Sequence, residues 1–237
     1  MKKYLVFLVL LNAIPLFGQN ISDAPIMHPG SVSDFIGEDW HILDSAKGDL
    51  NKDGLEDVAL VLESNYSPRV VEADSTYIET SDSNPRSLLI LMKRRDGLFT
   101  LTEESGTFIP FPEEYKADPF EGIEIVKGVL WIDILDMSYY GSWWVTKARY
   151  KFRFQNGQFE LIGADRNSLH RSSLEFENLS FNFLSKKWTN VKGKDVEEGE
   201  ELVPTTEITQ PLQIKHLKTF KTFISPFSWE VVPGFVI

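Results

Sequence analysis

The sequence contains no cysteine. This absence excludes disulfide bonds, a thiol nucleophile, iron–sulfur clusters and zinc sites with cysteine ligands. A chain without disulfides must be held together by its core or by bound ions. Positive charge is also scarce, because 24 Lys and Arg residues stand against 35 Asp and Glu residues and leave a formal net charge of -11. We therefore expect no nucleic-acid partner, since phosphate binding needs clustered cations.

Long hydrophobic runs are missing beyond the N-terminus. Residues 4–17 form an apolar stretch after Lys2 and Lys3, and small and polar residues follow at 18–20. A membrane-spanning helix needs about 20 apolar residues, so this order of segments predicts a secretory signal peptide over residues 1–18. The sequence thus predicts a secreted or periplasmic protein with no integral membrane segment once the leader is removed.

The rest of the chain has the hydrophobic pattern of β-strands. Residues 58–62 are continuously apolar, which is typical of a strand buried on both faces, and residues 150–154 alternate between large apolar and charged side chains. Asn156-Gly157 is a strong hairpin signal. We find no convincing amphipathic helix. The sequence predicts an all-β or β-dominated fold of antiparallel sheets with hairpins, sandwich-like or partly propeller-like, with few short helices.

The domain organisation is predicted to be simple. No composition break follows the leader, so we expect a single β-rich domain over residues 19–237, with a possible subdivision near residues 163–173. Residues 63–86 are polar and predict a long loop, and the charged residues 192–201 predict an exposed excursion. Residues 212–237 contain enough Phe, Trp and Val to pack onto the body.

Residues 49–57 carry oxygen-bearing side chains at a regular spacing. These side chains belong to Asp49, Asn51, Asp53 and Asp57. Calcium takes six to eight oxygen ligands at about 2.3–2.6 Å, and a loop supplies them by curling around the ion. Gly54 permits the sharp turn, and Leu55 offers its backbone carbonyl. An EF-hand loop is not expected, because its twelfth position would be Leu60 instead of Glu and a strand pattern follows.

The segment over residues 48–63 resembles the D-x-[DN]-x-D-G-x-x-D loop of FG-GAP and VCBS-type repeats. These repeats occur in integrin-like β-propeller blades and in many exported bacterial proteins, where the loop joins two strands and binds calcium. The resemblance implies one structural calcium ion held by the side chains of Asp49, Asn51, Asp53 and Asp57 and by the carbonyl of Leu55. The motif occurs once, whereas a closed propeller needs several blades, so a complete propeller is not expected.

A second group of residues raises the alternative of an enzyme. Asp133 and Asp136 lie near Tyr139, Tyr140, Trp143 and Trp144 in the sequence. Paired carboxylates beside aromatic rings are typical of glycosidases and sugar-binding sites, but a strand end with core aromatics gives the same pattern. The motifs G-x-S-x-G, G-x-x-x-x-G-K-[ST] and G-x-G-x-x-G are absent.

These observations favour a binding role over catalysis. We expect an exported, non-enzymatic binding or cell-envelope-associated protein with one structural calcium ion, and leave a protein or a glycan open as its partner. The alternative is a secreted carbohydrate-active hydrolase that uses Asp133 or Asp136 near Trp143 and Trp144.

Overall fold

A computed structural model of the chain describes residues 30–66, 84–194 and 203–237. The predicted signal peptide over residues 1–18 and most of the predicted loop over residues 63–86 lie outside these ranges. Within them, the chain forms one short 3-10 turn and thirteen β-strands. The strands are β1 Trp40–Gly48, β2 Asp57–Ser64, β3 Arg86–Lys93, β4 Phe99–Ser105, β5 Phe120–Val126, β6 Val129–Met137, β7 Trp144–Gln155, β8 Gln158–His170, β9 Glu175–Asn182, β10 Lys187–Lys194, β11 Val203–Pro211, β12 Glu230–Val232 and β13 Phe235–Val236.

The strands form antiparallel sheets in which each strand pairs with its neighbours in sequence. One sheet has four strands in the order β1-β2-β3-β4, and the second has seven in the order β11-β10-β9-β8-β7-β6-β5. A two-stranded ribbon joins β12 to β13. The prediction of a β-dominated antiparallel fold is therefore confirmed. No helix of the described residues is long and apolar enough to cross a membrane.

The main hydrophobic core receives side chains from both large sheets and from the C-terminal segment. Strand β2 is buried on both faces, as its continuous apolar run predicts. Phe108 lies at the centre of an aromatic group, and it meets four rings edge to face: those of Tyr150, Phe152, Phe220 and Phe223. Two of these rings come from residues 212–237, so this segment packs onto the body as predicted.

One expectation about the second half of the chain, the exposed excursion over residues 192–201, differs in part from the structure. Residues 192–194 belong to β10, which pairs with both β9 and β11, so this part of the predicted excursion is a strand. Residues 195–202 lie outside the described ranges. The possible subdivision near residues 163–173 falls largely within β8, which is hydrogen-bonded to β7 and β9 there. Both polar segments are strands because ladder hydrogen bonds satisfy their backbones even where few side chains are buried.

The Asn156-Gly157 turn joins β7 to β8 as predicted. Gln155 pairs with Gln158 across the turn, and the φ angles of Asn156 and Gly157 are 55° and 76°. Positive φ at both central positions is the requirement of the tight hairpin turn that matches the twist of the strands.

Replacing Gly157 with valine should therefore destabilise the protein by about 1 kcal/mol or more, because a β-branched residue is strained at positive φ. Thermal unfolding measures the change. Gly106→Val is the control, since Gly106 has no positive φ and open space around it. Equal melting temperatures for the two variants would contradict the prediction.

Candidate functional site

The predicted calcium loop connects β1 to β2. Gly48 at the end of β1 pairs directly with Asp57 at the start of β2, so the intervening residues form the end of a hairpin. Within this loop, Lys52 and Gly54 have φ angles of 66° and 85°. These two left-handed positions fold the chain back on itself, in the way that the glycine in the sequence predicts.

Asp57 is completely buried at the base of the loop. Its Oδ2 accepts a hydrogen bond from the backbone N–H of Leu50 at 2.9 Å, and its Oδ1 accepts one from the N–H of Lys93 at 2.8 Å. Burial raises the pKa of Asp57, the two amide hydrogen bonds oppose this effect, and the nearby charge of Asp53 adds to it. The carboxylate therefore ties the loop to the end of β3.

The other three predicted ligands curl the loop through hydrogen bonds to its own backbone. The carboxylate of Asp49 accepts from the N–H groups of Asp53 and Gly54, at 3.1 and 2.9 Å. The Oδ1 of Asn51 accepts from the N–H of Asp53 at 3.0 Å. The Oδ1 of Asp53 accepts from the N–H of Leu55 at 2.9 Å, and its Oδ2 accepts from the Nδ2 of Asn51 at 3.1 Å.

The loop contains the oxygen atoms that calcium prefers, but these atoms are not gathered around one point. All five predicted calcium ligands are oxygen atoms, which suit a hard cation. A carboxylate oxygen that accepts one hydrogen bond from an amide keeps a second lone pair for the ion. Among the described residues, however, no three acidic or histidine side chains form a group that could hold a metal ion. Calcium binding therefore requires side chains in the loop to turn inward. The calcium site stays a prediction.

The charge of the loop is not compensated by lysine or arginine. The nearest ion pair joins Lys47 to Glu56 at 3.7 Å on the surface. In the described part of the chain, no ion pair joins a Lys or Arg to Asp49, Asp53 or Asp57. The charge of Asp53 therefore acts on Asp57 without a compensating cation, and a bound cation would reverse the sign of that interaction.

The loop lies where the two large sheets meet. The carboxylate of Asp44 on β1 accepts a hydrogen bond from the N–H of Ile123 on β5 at 2.9 Å. The turn between β5 and β6 rests against the loop, because a Cβ added to Gly128 would lie 3.0 Å from the carbonyl oxygen of Asp49. An ion in the loop would therefore stabilise the junction between the sheets.

The structure does not bring the two aspartates of the hydrolase alternative together. Asp133 and Asp136 lie on opposite faces of β6, and Asp136 shares the face of the buried Ile134. On the other face, both carboxylate oxygens of Asp133 accept hydrogen bonds from Arg149 at 2.7 Å. The guanidinium of Arg149 also lies over the ring of Trp131. Asp133 is thus engaged in a cross-strand ion pair between β6 and β7.

Asp136 instead lines a cavity of about 240 Å³. The cavity lies between the end of β6 and the segment before β5, and its walls include Phe111, Lys116, Met137 and Phe227. The sequence does not reveal this cavity, because its walls come from segments that are far apart in the chain.

Exposed aromatic side chains lie in the chain segments next to Lys116 and Met137, two residues that line this cavity. We call them the aromatic patch, which consists of Tyr115, Tyr139, Tyr140, Trp143 and Trp144. All five are exposed. The rings of Tyr115 and Tyr140 meet edge to face at 5.9 Å, and Trp144 meets the imidazole of His170 at 5.1 Å. Four of the five residues were noted in the sequence, whereas Tyr115 is brought to them by the fold.

The backbone beneath the aromatic patch is fixed by hydrogen bonds. The guanidinium of Arg171 donates to the carbonyl oxygens of Ser138 and Ser142, and its backbone N–H donates to the carbonyl of Trp143 at 2.8 Å. The N–H of Tyr139 donates to the carbonyl of Tyr115 at 2.8 Å. The exposed rings are therefore carried by a backbone that is held in place.

Comparison with known proteins found no matching family model, no matching curated protein and no matching solved structure. The resemblance to FG-GAP and VCBS-type loops therefore rests on residues 48–63 alone.

Proposed function

We propose that this chain is an exported binding protein in which the loop over residues 49–57 holds one structural calcium ion. The observation that carries the proposal is Asp57, a completely buried carboxylate without a Lys or Arg partner among the described residues. A buried anion needs compensation beyond two amide hydrogen bonds, and Asp53 adds a second negative charge nearby. A divalent cation supplies that compensation.

The proposed ligands are the side chains of Asp49, Asn51, Asp53 and Asp57 and the carbonyl oxygen of Leu55. Extracellular modules bind calcium with dissociation constants of about 10⁻⁴–10⁻³ M, which suits a protein that works outside the cell. The loop joins β1 to β2 and touches the turn between β5 and β6, so the ion acts on the stability of the sheet junction. A loop that closes only with the ion couples binding to folding.

A binding role is favoured over hydrolysis by the position of the acidic residues. A glycosidase needs two carboxyl groups that flank one bond, about 5–9.5 Å apart in the same groove. Asp133 and Asp136 point to opposite faces of the sheet, and Asp133 is held by Arg149. We therefore propose no catalytic residue.

Calcium is expected to raise the melting temperature of the protein. At ten times the dissociation constant, binding to the folded state contributes about 1.4 kcal/mol, which corresponds to about 3–6 °C for a chain of this size. Differential scanning calorimetry with calcium and with chelator measures this shift.

The variant Asp53→Asn distinguishes the effect of the ion on stability from the effect of the hydrogen bonds within the loop. Asparagine keeps the oxygen that accepts from the N–H of Leu55, loses the exposed bond from the Nδ2 of Asn51, and removes the charge that acts on Asp57. With chelator, the lost bond and the relieved repulsion oppose each other, so the variant should stay within about 0.5 kcal/mol of the wild type, and with calcium its shift should be smaller. Asp96→Asn is the matched control, because Asp96 is exposed and also accepts from a turn amide, that of Leu98. This control should keep the full calcium shift. If chelator leaves the wild type unmoved, the loop is only an acidic turn.

A further inference from the structure

The aromatic patch and the cavity that its segments border form a second candidate site, at the opposite end of β6 from the calcium loop. Strand β6 links the two places, since its first residue follows the turn that touches the loop and its last residue lines the cavity. We propose that this second site binds a neutral carbohydrate chain. The inference names a ligand class for the binding role proposed above, and it does not depend on the calcium ion.

The rings of the aromatic patch are exposed to solvent. Tyr140 is 75% exposed, and Tyr115 and Trp143 are each 62% exposed. Large aromatic side chains gathered on a fixed stretch of surface mark an interaction site more often than isolated exposed residues do. Between residues 111 and 144, every exposed large hydrophobic side chain is aromatic. A surface of flat rings without aliphatic side chains suits a flat, ring-shaped ligand.

The chemistry of these rings fits sugars. The face of an aromatic ring carries negative electrostatic potential, and the C–H groups on one side of a pyranose ring carry partial positive charge. A sugar can therefore stack on such a face while its hydroxyl groups point outward and form hydrogen bonds. The hydroxyl groups of tyrosine are additional hydrogen-bonding partners at the edge of the platform.

The cavity supplies the polar contacts that a sugar hydroxyl needs. Asp136 and Lys116 line it, and the Nζ of Lys116 forms an ion pair with Glu113 at 2.9 Å. Asp136 lies on the same face of the sheet as Trp144, because Asp136 pairs with Thr146, two residues along β7 from Trp144. Asp136 and the indole of Trp144 therefore lie on one side of the sheet.

The size and charge of the site limit the class of ligand that it can bind. A volume of about 240 Å³ is below the range of about 300–1,000 Å³ that is common for drug-sized ligands, so the cavity accommodates a single sugar ring and the remaining rings of a chain extend over the aromatic patch. The lining of the cavity holds two carboxylates, those of Glu113 and Asp136, against the one cation of Lys116. This excess of negative charge disfavours uronic acids, sulfated sugars and phosphates.

Titration calorimetry with defined oligosaccharides tests the inference. The probes are the neutral hexasaccharides of cellulose, xylan, mannan and chitin, with hexagalacturonate as the anionic comparison. All titrations contain calcium. We expect at least one neutral hexasaccharide to bind with a dissociation constant between about 10 μM and 1 mM, and hexagalacturonate to bind more weakly.

Variants locate the binding surface. Tyr140→Ala and Trp143→Ala should each weaken binding by about tenfold or more, because each removes an exposed stacking face. Tyr66→Ala is the matched control, since Tyr66 is 66% exposed and lies outside the aromatic patch; it should bind as the wild type does. All three side chains are exposed, so unchanged melting temperatures will show that the variants fold.

Absence of binding to all four neutral probes would overturn the inference, as would tighter binding of hexagalacturonate or unchanged binding by both patch variants. The calcium dependence of the melting temperature is measured separately. Failure of the calcium proposal is therefore visible without sugar, and failure of the sugar proposal is visible in protein loaded with calcium.

Discussion

Replacing Arg86 with methionine is expected to lower the free energy of unfolding by about 3 kcal/mol, because it leaves the largely buried carboxylate of Glu63 without its cation and breaks the two-point bond to Asp118. Arg86 is only 3% exposed. Its guanidinium donates to both carboxylate oxygens of Asp118 at 2.7 Å, to Glu63 at 2.8 Å and to the carbonyl of Pro110 at 3.0 Å. Burial alone would raise the pKa of Asp118, but the bonds from Arg86 hold it below its usual value. Denaturant unfolding at neutral pH measures the loss.

Arg149→Met is the control for this experiment. Arg149 and Asp133 have the same two-point geometry as Arg86 and Asp118, but the Arg149 side chain is 38% exposed. An exposed ion pair contributes about 0–1 kcal/mol, so this variant should remain close to the wild type. A loss for Arg86→Met as small as that for Arg149→Met would show that burial of the ion pair has no effect.

Asp57→Asn is expected to cost about 3 kcal/mol when measured with chelator, in the absence of calcium. Both oxygens of Asp57 accept from backbone N–H groups, those of Leu50 and Lys93. Asparagine presents an NH₂ group to one of these donors, so one buried hydrogen bond to a charged acceptor is lost and two donors face each other. Denaturant unfolding at neutral pH gives the value.

The same exposed variant that controls the calcium experiment, Asp96→Asn, also controls this one. Its turn is open to water, so its stability should stay within about 0.5 kcal/mol of the wild type. If Asp57→Asn is as stable as Asp96→Asn, then the amide hydrogen bonds of Asp57 do not hold the loop to β3.

The sequence predicted the strands that have a buried face. The continuous run over residues 58–62 became β2, and the alternation over residues 150–154 became part of β7. In such strands the side-chain pattern repeats with the period of the backbone, so it can be recognised without knowledge of the partner.

Strands with little buried surface were not predicted. Strand β11 is exposed along all of its described side chains, and β1 is only partly buried. Each lies at the edge of a sheet, where backbone hydrogen bonds to one neighbour define the strand. Backbone hydrogen bonds do not require a regular spacing of hydrophobic residues, so the sequence of such a strand resembles that of a loop.

The calcium loop and the second candidate site also differ in how far the sequence alone predicts them. The five predicted calcium ligands fall within nine consecutive residues, so local spacing alone suggests them. The contact of Tyr115 with Tyr140 and the ion pair of Asp133 with Arg149 depend on the register of distant segments. A single sequence does not reveal that register. The hypothesis that combines Asp133 with Asp136 in one site therefore did not anticipate the ion pair of Asp133 with Arg149.

The order of the strands also has a consequence for how the protein folds. Because every strand of the two large sheets pairs with its neighbour in sequence, each sheet can grow hairpin by hairpin, with residues 65–85 between β2 and β3 as the long connection. Such local pairing lowers the contact order and favours fast folding for a β-protein. Phe220 and Phe223, however, reach the core from beyond β11. During synthesis, the apolar face around Phe108 therefore stays open to other chains until residues 212–237 have been made, and this interval is when aggregation competes most strongly with folding.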